Sequence, residues 1–186
     1  MNLLQLAKKN KVKNFIYASS GSVYGVKKER FVHEDLNLDP ISLYNKTKMC
    51  SERVVLSFKE ELNVKIIRPA TVCGYSPRMR FDVSVNALTS SAFLNKKIIV
   101  QGGDQIRPNI NIDDLTDLYL YFLEKKTKGI IFNAGFENLS IRKIAKNVQK
   151  NVKSDIIIQK NVTDTRTYKL VSSKIISLKL TFFCVI

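Results

Sequence analysis

The sequence of 186 residues predicts an α/β protein built on a parallel sheet. Short apolar runs of three to five residues alternate with longer segments of helical periodicity, which is the pattern of strand–helix–strand units. The first apolar run opens into small hydroxyl residues, and open parallel sheets bind their ligands where strands end in this way. The fold class therefore also predicts where a functional site lies.

The expected elements follow one another along the chain. Helical periodicity and terminal signals predict helices at 2–10, 44–61, 86–94, 113–123 and 140–150, the last with Ser140 as its N-cap. Short buried runs predict strands at 15–19, 64–67, 98–100, 130–133 and 155–158. A polar loop containing Pro40 precedes the long second helix, because proline disfavours helix there.

Charge and cysteine content restrict the class of protein. The net charge is +15, but the lysines are spread along the chain and form no run with interleaved aromatic residues, so a nucleic-acid partner is not expected. No stretch approaches the ~20 apolar residues of a membrane span, and the first residues lack signal-peptide features. Cys50, Cys73 and Cys184 lie far apart, without metal-ligand spacing. We expect a cytoplasmic protein with reduced thiols, no metal and no membrane partner.

Tyr44 and Lys48 form the pattern that points to chemistry. Four residues apart on the predicted helix, they share one face. A phenol is a poor base at neutral pH, but a neighbouring ammonium stabilises the phenolate and lowers the pKa. The phenol can then take a proton from a carbinol as hydride leaves the same carbon. On its own this spacing is common, and a surface tyrosine beside a surface lysine is the alternative explanation.

Four further segments occur with this pair in a fixed order. They are residues 14–25, 67–74, 107–115 and 164–168. With the pair they resemble the extended short-chain dehydrogenase/reductase family, in its NAD-dependent epimerase/dehydratase branch. The resemblance implies the C-terminal half of a doubly wound, Rossmann-like parallel sheet plus most of a small α/β substrate-binding domain. Residues 1–76 and 105–135 would form the partial NAD-binding domain, and residues 77–104 and 136–186 the substrate domain.

The resemblance also implies roles for individual residues. The catalytic residues would be Ser20, Tyr44 and Lys48. The residues that bind NAD would be Ser19, Tyr44, Lys48, Pro69 and Ala70. The residues that bind a nucleotide-sugar substrate would be Ser20, Ser22, Thr71, Arg107 and Arg166. Ser22 could instead cap the turn, and Arg166 could be a solvated loop residue.

Two departures from the family pattern narrow the expected reaction. Gly21 and Ser22 stand where related 4,6-dehydratases carry an acidic pair. The related decarboxylases carry a glutamate at the position of Ser22. Elimination and decarboxylation both lack their acid–base group, so we expect epimerisation through a 4-keto intermediate. The alternatives are a keto-sugar reductase or dehydratase of the same family, and an inactive remnant or binding module.

The family's Gly-x-x-Gly-x-x-Gly motif, which holds the NAD pyrophosphate, does not occur in this sequence. The acidic residue that reads the adenosine ribose is missing as well. We therefore expect a truncated or split chain that binds NAD weakly or not at all by itself, with NADP not excluded as the cofactor. A complementing N-terminal fragment and a homodimer are the two protein partners that the resemblance leaves open.

Overall fold

The computed structural model describes residues 1–160 and 167–180. Its helices are α1 Asn2–Lys9, α2 Leu43–Leu56, α3 Ser84–Asn95, α4 Ile112–Glu124, α5 Ile141–Asn151 and α6 Ser173–Ile176. Its strands are β1 Asn14–Ala18, β2 Phe31–Val32, β3 Asn63–Pro69, β4 Thr71–Cys73, β5 Lys97–Gln101, β6 Ile106–Asn111, β7 Ile131–Ala134, β8 Glu137–Ser140, β9 Asp155–Gln159 and β10 Lys169–Leu170. A 3₁₀ turn spans Gly21–Tyr24.

Every helix and strand predicted above is present, with shifted ends. The largest difference is in α2, which ends at Leu56 and not at residue 61. Beyond Leu56 the chain tightens into turns, in which the Phe58 amide donates to the Val55 carbonyl at 3.1 Å. Six short elements were not predicted: α6 and the strands β2, β4, β6, β8 and β10.

The central sheet is parallel, with strand order β1-β3-β7. Its middle strand β3 is buried on both faces, as parallel sheets require. Ile66 packs with α1 and α2 residues on one face, whereas Ile67 packs with Leu118 and Phe122 of α4 on the other. A parallel sheet covered by helices on both faces confirms the predicted α/β class.

Two further groups of strands flank the central sheet. Strands β4, β6 and β8 form one sheet, and β5 pairs in parallel with β9. A separate apolar cluster, which includes Ala92, Ile98 and Ile144, joins α3, β5 and α5. In the described part of the chain, no helix combines the length and the apolar character needed to cross a membrane.

Candidate active site

Helix α2 carries Tyr44 and Lys48 because its start is fixed by a serine cap. The Ser42 hydroxyl accepts the Asn45 amide at 3.2 Å, so the helix begins at Leu43 and Tyr44 lies in its first turn. One turn further on, the Lys48 Nζ lies 5.6 Å from the centre of the Tyr44 ring. The structure thus places the ammonium beside the phenol ring, as the spacing predicts.

Lys48 also ties α2 to the carboxyl end of β1. Its Nζ donates a 2.6 Å hydrogen bond to the carbonyl of Ala18, the last residue of that strand. The same Nζ lies 5.1 Å from the centre of the Tyr17 ring. Because the carbonyl and both rings surround the ammonium, its position relative to the strand end is fixed.

The turn after β1 carries the predicted serines, and we call residues 19–25 the serine turn. Ser20 Oγ lies 2.7 Å from Ser22 Oγ and also accepts the Ser22 amide at 3.2 Å. The Ser22 hydroxyl in turn donates to Asn45 Oδ1 at 2.7 Å. The serine turn is therefore joined to α2 at the residue next to Tyr44.

A cleft of about 460 Å³ brings most of the predicted residues together. Its lining residues are Ser19, Ser20, Ser22, Tyr44, Pro69, Ala70, Thr71, Val72, Arg80, Val83 and Tyr168. The Tyr44 side chain is exposed, so its phenol is accessible from this cleft. Seven of the residues that the sequence singles out thus face one open space at the carboxyl ends of β1 and β3.

Arg107 lies in an adjoining cavity of about 400 Å³, which shares Thr71 and Val83 with the cleft. Strand β6 places it there, and one guanidinium nitrogen donates to the Ile106 carbonyl at 3.1 Å. The two cavities share these lining residues and are therefore adjacent. Arg166 lies outside the described residues.

A buried ion pair beneath the cleft did not emerge from the sequence. Glu52, one turn beyond Lys48, accepts hydrogen bonds from Arg68 of β3 and from the Ser19 hydroxyl. Two signals could have revealed it. Arg68 stands in a strand of buried residues, where a charge requires a partner, and Glu52 follows Lys48 on the same helix face.

Tyr24 extends this network to β7. Its hydroxyl accepts from Arg68 at 2.8 Å and donates to Asn133 Oδ1 at 2.7 Å. Burial raises the pKa of the Tyr24 phenol to about 12, although the neighbouring Arg68 guanidinium favours the phenolate. The phenol therefore stays protonated and holds the ends of β3 and β7 together.

The fold and the site define an α/β protein of the Rossmann type, in which a tyrosine–lysine pair and a serine meet at the carboxyl ends of parallel strands. The sequence model of the NAD dependent epimerase/dehydratase family matches residues 1–135, and the chain belongs to this family. Members of the family are enzymes. Both the resemblance and the fold class expected from the sequence are thereby confirmed.

Individual relatives show the same likeness. UDP-glucose 4-epimerase of Lactobacillus helveticus is 28% identical over 176 residues, covering 80% of this chain and 52% of that protein. UDP-glucuronate 4-epimerase of Thermodesulfobacterium geofontis is 34% identical over 119 residues, covering 62% of this chain and 36% of that protein. The chain spans between 35% and 54% of the length of three similar curated proteins.

A solved structure matches nearly the whole fold. It is UDP-glucuronic acid 4-epimerase from Bacillus cereus, in complex with UDP-glucuronic acid and NAD. The TM-score is 0.77 at 31% identity, and the match covers 95% of this chain and 58% of that one.

Proposed function

We propose that this chain carries the catalytic and substrate-binding residues of an NAD-dependent nucleotide-sugar 4-epimerase, which inverts the sugar C4 through a 4-keto intermediate. One observation carries the proposal: Tyr44 and Ser20 line a single cleft, with Lys48 against the Tyr44 ring. These groups can move a proton at a carbinol oxygen, and the chain belongs to a family of NAD-dependent enzymes.

The residues present fit the nicotinamide end of NAD. Pro69 and Ala70 contribute apolar groups to the lining of the cleft and Ser19 and Tyr44 contribute polar ones, while Lys48 is held at the strand end. When bound, NAD supplies a hydride acceptor that returns the hydride to the sugar. The glycine motif for its pyrophosphate does not occur in this sequence, so we propose that another polypeptide segment provides it.

Proton transfer would be the task of this chain's own residues. Tyr44 takes the proton of the C4 hydroxyl. It gives the proton back after the 4-keto sugar has rotated to present its other face. Lys48, whose ammonium lies 5.6 Å from the centre of the Tyr44 ring, would supply a positive charge beside the reacting phenol. Ser20 holds the C4 oxygen within the cleft and keeps it near Tyr44.

The composition of the cleft supports epimerisation over elimination or decarboxylation. Among the described residues that line it, none is Asp or Glu. A side chain at Gly21 would be crowded, since an added Cβ would lie 3.1 Å from the Pro69 carbonyl oxygen. The position where related dehydratases carry an acid thus has little room for one.

The nucleotide would occupy the adjoining cavity. Arg107 offers a planar guanidinium that can bind a diphosphate through two hydrogen bonds. Thr71 and Val83, which line both cavities, would then contact the link between sugar and diphosphate. We further propose that residues 1–76 and 105–135 form the partial NAD-binding domain, which also contributes Ser20, Tyr44, Thr71 and Arg107 to the substrate, and that residues 77–104 and 136–186 form the substrate-binding domain. The separate apolar cluster of α3, β5 and α5 supports this division.

The test is an epimerisation assay on the chain combined with an N-terminal segment that contains the glycine motif. UDP-glucose and UDP-glucuronic acid are offered with NAD, and the C4 epimers are separated. We expect turnover, and a loss of at least ~10²-fold in Tyr44→Phe, the usual contribution of a positioned acid–base group. Tyr75→Phe is the matched control, because Tyr75 is exposed and lines a different cavity. Near-normal turnover in Tyr44→Phe would refute the role of Tyr44.

A further inference from the structure

A chain of three side chains runs from the cleft into α2: Ser20, Ser22 and Asn45. The Ser22 hydroxyl oxygen lies 2.7 Å from Ser20 Oγ and 2.7 Å from Asn45 Oδ1. Asn45 is buried, with 6% of its surface exposed, whereas Ser20 and Ser22 both line the cleft. A polar group inside the protein is therefore connected to the surface that a sugar would meet.

Counting protons fixes the direction of these hydrogen bonds. A hydroxyl has one proton and a carbonyl oxygen has none, so Ser22 donates its proton to Asn45. Ser22 has no second proton for Ser20, and Ser20 must therefore be the donor in the bond between the two hydroxyls. The Ser22 amide also points at Ser20 Oγ at 3.2 Å. In this arrangement Ser20 offers the cleft a lone pair and not a proton.

This polarity suits one form of the sugar better than the other. A C4 hydroxyl can donate to the lone pair of Ser20, but a C4 carbonyl only accepts hydrogen bonds and needs a donor. A 180° rotation of the Asn45 side-chain amide can reverse the direction of these hydrogen bonds, because the amide oxygen and nitrogen are nearly alike in shape and exchange places. The Asn45 NH₂ group would then donate to Ser22, Ser22 to Ser20, and Ser20 to the carbonyl.

We propose that Asn45 is a positioning residue that sets the polarity of Ser20 through Ser22, so that one serine serves the hydroxyl and the keto forms in turn. The inference rests on the proposed function, because it assigns these two forms to the cleft. Asn45 has no contact with the sugar in this scheme and acts only through Ser22.

The experiment compares two ligands in variants of the chain combined with the N-terminal segment of the turnover assay, in the presence of NAD. The ligands are UDP-glucose and a UDP-4-keto-hexose, and the dissociation constants are measured by competition in a Tyr44→Phe background, which suppresses turnover. Asn45→Asp holds the three hydrogen-bonded side chains in the arrangement in which Ser20 donates to Ser22, because an ionised carboxylate only accepts hydrogen bonds. Ser22→Ala removes the acceptor of the Ser20 proton and leaves that proton free for the ligand.

We expect the two variants to change keto binding relative to hydroxyl binding in opposite directions. Asn45→Asp lowers the ratio of keto to hydroxyl affinity about five- to tenfold, the usual value of one hydrogen bond, and Ser22→Ala raises it. A purely structural role for Asn45 would weaken the binding of both ligands alike. An unchanged ratio of keto to hydroxyl affinity in Asn45→Asp would therefore overturn this inference but not the proposed function. Failure of the combined protein, without substitution at residues 22 and 45, to bind either ligand would overturn the proposed function, and this inference with it.

Discussion

Glu52 and Arg68 form a doubly hydrogen-bonded ion pair directly beneath the cleft. Arg68 Nε donates to one carboxylate oxygen at 2.9 Å and Nη2 donates to the other at 2.6 Å. The side chains are only 2% and 3% exposed. Since Glu52 also binds the Ser19 hydroxyl, this pair fixes the face of α2 that carries Lys48 against the ends of β1 and β3.

Glu52→Gln is expected to lower the free energy of unfolding by about 3–5 kcal/mol, because it leaves the buried guanidinium of Arg68 without a counter-charge. Urea unfolding followed by circular dichroism measures the change. Glu60→Gln is the control: Glu60 is 84% exposed and lies 3.8 Å from Lys59, so its loss should change the free energy by less than ~1 kcal/mol.

The paired variant Glu52→Leu with Arg68→Met separates a charge effect from a packing effect. It removes both charges, so it should be more stable than Glu52→Gln alone. Equal stability of Glu52→Gln and Glu60→Gln would contradict the account of a buried pair.

Tyr24→Phe is expected to destabilise the protein by about 1–3 kcal/mol at pH 8, because Arg68 and Asn133 lose a buried partner. The pKa of Tyr24 is about 12 in the folded protein, above its ordinary value of 10.0. The unfolded chain therefore ionises first. The stability that the neutral phenol contributes is present below pH 10, and it is lost as the pH rises toward 12.

The difference in unfolding free energy between the unsubstituted chain and Tyr24→Phe should thus narrow above pH 10. Urea unfolding at several pH values from 8 to 11 tests this, and other titrating groups cancel because both proteins contain them. Tyr75→Phe, at an 83% exposed side chain, is the control and should show no such trend. A difference that stays constant up to pH 11 would be inconsistent with a buried neutral phenol.

Local signals were sufficient for much of this fold. The Ser140 hydroxyl accepts the Lys143 amide at 3.2 Å and caps α5, as the sequence predicts, because N-caps depend on residues close in the chain. The spacing of Tyr44 and Lys48 likewise predicts their proximity, because residues four apart on a helix lie on the same face. Such features need no knowledge of the rest of the molecule.

Features that depend on distant partners could not be predicted in this way. Strand β6 is a strand because Asn109 pairs with Thr71 on one side and Glu137 on the other. In the sequence, Asn45 resembles any polar helix residue. Its contact with Ser22, which lies 23 residues earlier, depends on how the serine turn packs against α2. In both cases the partner is set by the packing of the sheet and its helices, which periodicity does not encode.

Arg107 provides a test of the nucleotide site. Arg107→Ala is expected to weaken binding of UDP by at least ~10-fold, because charge-assisted hydrogen bonds to the diphosphate are lost. Arg107→Lys should recover only part of the affinity, because an ammonium keeps the charge but not the planar fork. Isothermal titration with UDP gives the dissociation constants, and circular dichroism shows whether each variant is folded.

The control for a loss of net charge is Arg53→Ala. Arg53 is exposed near the end of α2 and does not line either cavity, so its substitution removes one positive charge without touching the proposed site. If the overall charge of +15 attracted UDP without a specific site, both substitutions would weaken binding equally. Selective loss in Arg107→Ala, with partial recovery in Arg107→Lys, would instead locate the diphosphate in the cavity that shares Thr71 with the cleft.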